Sequence, residues 1–239
     1  RWDAGQELAT KVLLGLAADA QAGRVLALDG AVIDAFRKVL TDPRLDGSLK
    51  AMALVLPAEA QLAQEVAVVD PDALHAAREH VRRELARALK SELVAAYDSC
   101  ASGEPYKNDK VSIDRRRLKN AAMSYLSLVD EPQAKTRPLA QLRSADNMTD
   151  ASAALAVLAN LEGAEREQAL GEFYAKWKHD PLVLDKWFMV QGTSSLPATL
   201  SRVRDLTKHA DFTLKNPNRV RSLIGAFAMS NQVRFHGAD

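Results

Sequence analysis

Apolar residues recur along this chain at three- and four-residue intervals, the period of helices that bury one face. The β-branched residues are scattered, and no alternating run predicts a strand. From Trp2 to Ala20, Leu8, Val12 and Leu16 fall four apart and predict a helix with those three inward. Asp29 is placed to cap a second helix, with Val32, Phe36, Val39 and Leu40 inward. "LDGSLKAMALVLP" gives a third, which Pro57 stops. A long helical pattern then runs from Asp70 to Cys100, with Asp70 as N-cap, Pro71 at the first helical position, and Leu74, Val81, Leu85 and Tyr97 along one stripe. Ser112 opens the next, with Leu118, Ala122, Tyr125, Leu126 and Val129 inward. Further helices are expected from about Glu131, Thr149, Gly163, Asp180, Leu196 and Pro217. The stretch Asp180–Gly192, "DPLVLDKWFMVQG", is apolar on most sides, which predicts a central, buried helix.

The connections are short, which makes neighbouring helices antiparallel. Helical hairpins recur roughly every 30 to 45 residues without a consensus, a spacing that suits an all-α superhelical stack of antiparallel helix pairs, an armadillo- or HEAT-like α-solenoid. An irregular helical bundle is the alternative. The chain reads as one helical domain over 1–239. The loop "ASGEPYKNDK" is the one candidate place for a subdivision, near 102–111.

Composition supports helices and narrows function. Of 239 residues, 47% are hydrophobic but only 5% aromatic, and alanine and leucine, which lose little on entering a helix, are abundant. The net charge of +1 lacks the basic excess of a nucleic-acid binder. The basic run "RRRLK", Arg115 to Lys119, reads as a solvated helix face. No apolar run reaches the roughly 18 residues that would span a membrane. The first residues lack the pattern of a signal peptide and read as a helix already under way, with no Met and no lead-in. A single cysteine, Cys100, excludes an intrachain disulfide, fits a reducing compartment and reads as an unreactive thiol.

Candidate chemistry is sparse. His75 and His80 in "HAAREH" lie five apart, about 140° around a helix, so they do not share a face as a pair of metal ligands must. They read as solvated surface histidines. Neither a phosphate loop nor a G-x-S-x-G elbow occurs. Trp177 and Trp187 read as core anchors. The stretch that stands out is "NPNRVRSLIGAFAMSN", Asn216 to Asn231. Asn216 can cap a helix and Pro217 can begin it, after which Val220, Leu223, Ile224 and Phe227 form an apolar stripe. Arg219 and Arg221 then flank that stripe on opposite sides, Arg221 beside the small residues Gly225 and Ala228. An arginine at a helix start is poorly placed for the helix dipole and needs a partner. That partner is either a neighbouring carboxylate or a ligand.

"NPNRVRSLIGAFAMSN" resembles the signature of the C-terminal domain of bacterial aminopeptidase N, a zinc metallopeptidase family of the gluzincin type. "RWDAGQ" at the start, "ADNMTDASAAL" from Ala145 and "VLDKWFMVQGTSS" from Val183 resemble the same domain in the same order, so the resemblance covers essentially the whole chain. It implies a superhelix of helix pairs that covers a separate catalytic domain and closes the cavity over the zinc. The family's H-E-x-x-H and G-x-M-E-N motifs do not occur here. The resemblance thus implies a piece of the cap, catalytically inactive alone, binding no metal itself, and ending before the family's last helices. Its partners would be the catalytic domain of the same enzyme and peptide substrates, with no nucleic acid and no membrane, in the cytoplasm. The parent's cofactor would be zinc. Arg221 matches the position expected to face the substrate cavity, where a guanidinium would meet a carboxylate or carbonyls of a bound peptide. Arg219 is expected to be mostly structural. A helical-repeat interaction scaffold with no enzymatic role is the alternative.

Overall fold

The computed structural model describes residues 2–101, 103–129 and 132–237. Every regular element among them is helical. In chain order these are α1 (Trp2–Gln21), α2 (Gly30–Thr41), α3 (Gly47–Leu54), α4 (Glu59–Leu62), α5 (Pro71–Ala88), α6 (Lys90–Cys100), α7 (Lys110–Leu126) and α8 (Gln133–Ser144). They continue with α9 (Met148–Leu158), α10 (Ala164–Trp177), α11 (Pro181–Gly192), α12 (Thr199–Leu206), α13 (Pro217–Val220), α14 (Ala226–Ser230) and α15 (Gln232–Phe235). A short 3₁₀ turn follows α4, and a π-helical turn, Arg221–Gly225, joins α13 to α14.

The helices begin where the chain offers a side-chain acceptor. Asp29, Asp46, Asp70, Asp109, Asn147, Asp180 and Asn216 each take a first-turn backbone N–H, satisfying donors that have no helical partner. Pro71, Pro181 and Pro217 follow three of these caps, where a missing N–H is harmless. One expected start moves: Asp109 caps α7 and takes the N–H of Ser112 at 2.8 Å, so the helix opens before Ser112. The start expected near Glu131 lies outside the described residues, and α8 is described from Gln133.

The chain divides into two compact units, residues 1–137 and 138–239. Pro138 lies inside α8, where its ring removes one helical hydrogen bond. The loop considered for a subdivision lies inside the first unit, because α6 and α7 on either side of it pack on each other.

In the first unit α1 packs on α5, and α7 packs on α3 and α6. Leu13, Leu62, Leu85, Leu89, Leu93 and Leu126 are fully buried in its core. Two sequence readings shift here. The inward stripe of α1 is Ala9, Leu13, Leu16 and Ala17, while Leu8 is exposed and Val12 half-buried, because four-residue spacing alone slips around the helix. The pattern from Asp70 to Cys100 is two helices, broken at Leu89, whose φ of −110° and ψ of 17° leave the helical range.

In the second unit α11 is the hub: it touches α9, α10, α12, α13, the π-turn and α14. Val183, Leu184, Trp187 and Phe188 are buried, and Trp187 donates its indole N–H to Leu170 O at 2.9 Å. Full burial of such side chains contributes about 1.5–3 kcal/mol each. The expectation of burial on most sides holds only in part, since Leu182 and Met189 remain exposed. The architecture is an all-α fold of stacked helix pairs, as the period of the sequence predicts.

Candidate functional site

The segment Asn216–Asn231 assembles in the second unit from its cap onward. Asn216 Oδ1 accepts the N–H groups of Asn218 and Arg219 at 3.0 and 3.3 Å, fixing the start of α13. The turn that follows is π-helical, and the N–H of Ala226 reaches back to Arg221 O. Such widened turns redirect side chains and recur at functional sites. Here the widening changes the inward face: Arg219, Leu223 and Phe227 are buried, while Val220 and Ile224 are half-buried. Arg219 therefore does not flank the apolar stripe, as the spacing suggested. It is part of the buried face.

Arg219 is only 5% exposed. Its Nε donates to Asp185 Oδ1 at 2.5 Å, its Nη1 donates to Asp211 O, and its guanidinium lies 5.0 Å from the centre of the Phe188 ring. Asp211 is itself tied down. Its carboxylate accepts the Tyr174 hydroxyl, a bond that pushes the Tyr174 phenol pKa up, and its N–H donates to His209 Nδ1 at 3.1 Å. The His209 ring stands 5.2 Å from Tyr174 and 5.3 Å from Trp187. Arg219 is structural, as expected.

Arg221 is the opposite case. Its side chain is exposed and makes no hydrogen bond or ion pair among the described residues. It sits beside Gly225, where a Cβ would lie 3.7 Å from Arg221 Cβ. The backbone beneath it is held firmly. A Cβ at Gly192 would come within 2.9 Å of Leu223 O, so glycine is what lets α11 approach the π-turn this closely. Asn231, buried at the end of α14, donates both amide hydrogens, to Gly192 O at 3.0 Å and Ser194 O at 2.7 Å. Ser194 Oγ donates to Ala159 O at 2.8 Å, and Arg234 Nε donates to Ser195 O at 2.7 Å. The result is an unpartnered guanidinium on a rigid mount. It offers five donors to a carboxylate or carbonyl oxygen.

The other sequence candidates fall elsewhere. His75 and His80 are half-buried rather than solvated, because α5 turns that side toward α4 and the core. His75 Nδ1 lies 2.8 Å from Glu59 Oε1, and His80 Nε2 is buried with no hydrogen-bond partner among the described residues. In the basic run, Arg116 covers the Tyr106 ring at 4.8 Å and donates to Lys107 O, and Arg117 donates to Ser48 Oγ. Burial pushes the Cys100 thiol pKa up, in keeping with an unreactive side chain. Trp187 is a core anchor, but Trp177 is half-buried and lines a cleft. Sequence reasoning missed that cleft, and it missed Asp185 and Asp211 as partners of Arg219. Asp185 lies 34 residues from Arg219, and no local pattern signals the pairing. Among the described residues, no group of three or more His, Cys, Asp or Glu side chains is placed to hold a metal ion. Among the described residues, no helix is long and apolar enough to cross a membrane.

The whole chain, residues 1–239, matches the family described as "Domain of unknown function (DUF3458_C) ARM repeats". It is 41% identical over its full length to aminopeptidase N of Escherichia coli, and 39% identical over 99% of its length to aminopeptidase N of Caulobacter vibrioides. The chain spans 27% of each of these relatives. Its fold superposes with a TM-score of 0.84 on aminopeptidase A of Legionella pneumophila, solved in complex with aspartic acid. That match has 28% identity and covers 96% of this chain and 28% of that one.

Proposed function

The chain belongs to the DUF3458_C family of ARM-repeat domains, and on that premise we propose that it is the helical cap of a zinc aminopeptidase N, closing the peptide cavity over a catalytic centre carried elsewhere in the parent protein. The full-length alignment with about a quarter of two aminopeptidases N supports the parent's identity. The observation that carries the role is Arg221: exposed and without a partner among the described residues, on a π-turn packed from behind by Gly192 and Asn231. A charged side chain without a protein partner on so rigid a mount fits a ligand better than it fits solvation alone.

The described residues provide no cluster suited to zinc, so no step of the chemistry is assigned to this chain through a metal. Its own contribution is recognition and exclusion. Arg221 donates hydrogen bonds to the carboxylate or distal carbonyls of the bound peptide, which orients it. The helical stack limits access to extended peptides and keeps bulk water from the cavity, which strengthens every polar contact inside. The partners are the catalytic part of the same protein and its peptide substrates, and the location is the cytoplasm.

The test has two arms. The isolated chain should hydrolyse no aminoacyl-arylamide and carry no stoichiometric zinc. One tightly held zinc per chain would overturn the division of labour. In the parent enzyme, Arg221→Ala should depress kcat/KM for a peptide more than for an aminoacyl-arylamide, which lacks the distal groups. Equal effects on both would remove the peptide-contact role.

A further inference from the structure

The second unit has a concavity that neither Arg221 nor the proposed cap role uses. It is a cleft of about 380 Å³ between the end of α8, the first turn of α9 and the last turns of α10. That volume is at the lower end of small-molecule sites, roughly 300–1,000 Å³. Its floor is apolar: Leu142, Ala151 and Phe173 line it, and all three are buried. Trp177, half-buried, forms a wall 6.4 Å from Phe173, ring centre to ring centre.

The charges at the rim are not all matched. Arg143 and Glu172 neutralise each other through two hydrogen bonds, of 3.1 and 2.7 Å. Lys176 is left over. Its Nζ lies 5.3 Å from the Trp177 ring centre and meets no carboxylate among the described residues. Asp146 also lines the cleft and accepts Asn147 Nδ2 at 3.0 Å. Lys176, the Asp146 carboxylate and an aromatic-walled apolar floor thus surround a space of dipeptide size.

We propose that this cleft binds small apolar zwitterions, free amino acids or dipeptides, with the ligand carboxylate on Lys176, the ammonium toward Asp146 and the side chain against Trp177 and Phe173. Cation, anion and apolar floor match the three parts of such a ligand, and a purely anionic or purely apolar molecule would satisfy only some of them. The cleft is separate from Arg221 and the cap role, so either can fail alone.

The experiment titrates L-leucine into the full ¹⁵N-labelled chain and follows the Trp177 indole N–H resonance, assigned by its loss in Trp177→Phe. The resonance should shift and saturate in the millimolar range. L-leucinamide, without a carboxylate, and Nα-acetyl-L-leucine, without an ammonium, should each bind several-fold more weakly. Lys176→Gln should weaken L-leucine about tenfold, equivalent to about 1.4 kcal/mol, and leave L-leucinamide unchanged. Arg221→Ala should alter none of these. Absence of a saturable Trp177 shift overturns the site. Equal binding of L-leucine and L-leucinamide, a result that needs no variant, overturns the assignment of the carboxylate to Lys176.

Discussion

Two arginines one residue apart in "NPNRVRSLIGAFAMSN" have opposite fates, and that contrast yields the sharpest stability prediction. Arg219→Ala removes a guanidinium whose side chain is 6% exposed from a carboxylate, Asp185, that is 16% exposed. Removing one member of a buried ion pair typically costs about 3–5 kcal/mol, much of it from the stranded partner. Asp185 keeps some water and a Ser222 hydroxyl at 3.4 Å, which lowers the expected loss to about 2–4 kcal/mol. Arg221→Ala removes an exposed side chain without partners among the described residues and should stay within about 0.5 kcal/mol of the parent. The assay is urea denaturation followed by tryptophan fluorescence. Trp187, packed 4.9 Å from Phe188, reports the second unit. With a slope of about 1–3 kcal/mol per molar urea, a loss near 3 kcal/mol moves the midpoint by roughly 1–3 M. Arg219→Lys keeps the charge but not the fork that spans Asp185 and Asp211 O, and should recover less than half of the loss. Equal midpoints for Arg219→Ala and the parent, or a larger loss for Arg221→Ala, would refute the assignment of the two roles.

Other perturbations test the packing directly. A Cβ at Gly47 would lie 2.6 Å from Asp114 O, so Gly47→Ala should destabilise the first unit by about 1–3 kcal/mol in urea titrations. Gly15→Ala, where nothing lies within 4 Å, should stabilise α1 by up to about 1 kcal/mol. Tyr125 is buried, donates to Leu54 O at 2.6 Å, and is pushed up to about 12 by burial. A phenol whose folded pKa exceeds its unfolded value of about 10 contributes stability that is intact below pH 10 and lost as pH rises toward 12. Tyr125→Phe should therefore lose about 1–3 kcal/mol at pH 7, and the gap to the parent should shrink above pH 10. Cys100 should react with a thiol reagent at pH 8 only as fast as the chain opens, and labelling at the rate of a free thiol would contradict its burial.

Much of this architecture was legible because helices announce themselves locally. Asx caps followed by proline at Asp70, Asp180 and Asn216 are events of three or four residues, and each lies where the sequence places it. The faces were harder to read. Leu8 and Val12 satisfy a four-residue rule, yet Ala9 and Leu13 are the buried ones, because a periodic pattern fixes a stripe only to within a neighbouring position. The π-turn has no sequence signature. Gly192 approaches Leu223 O from another helix, and Arg219 lies in the core rather than on the flank. The break at Leu89 was invisible for a similar reason: leucine is a good helix former, and the break reflects tertiary packing of two helices against one core. That Arg221 meets no partner among the described residues depends on side chains far from it in sequence, so no reading of its sequence neighbours contains it.

The central claim is that this chain caps a peptidase cavity and that Arg221 faces the peptide. The most direct measurement is the ratio of kcat/KM for a peptide to that for an aminoacyl-arylamide with the same first residue, in the parent enzyme and in its Arg221→Ala variant. Loss of one charge-assisted contact worth about 1.5–3 kcal/mol predicts a fall in that ratio of roughly tenfold or more, with the arylamide nearly unaffected. An unchanged ratio would contradict the account.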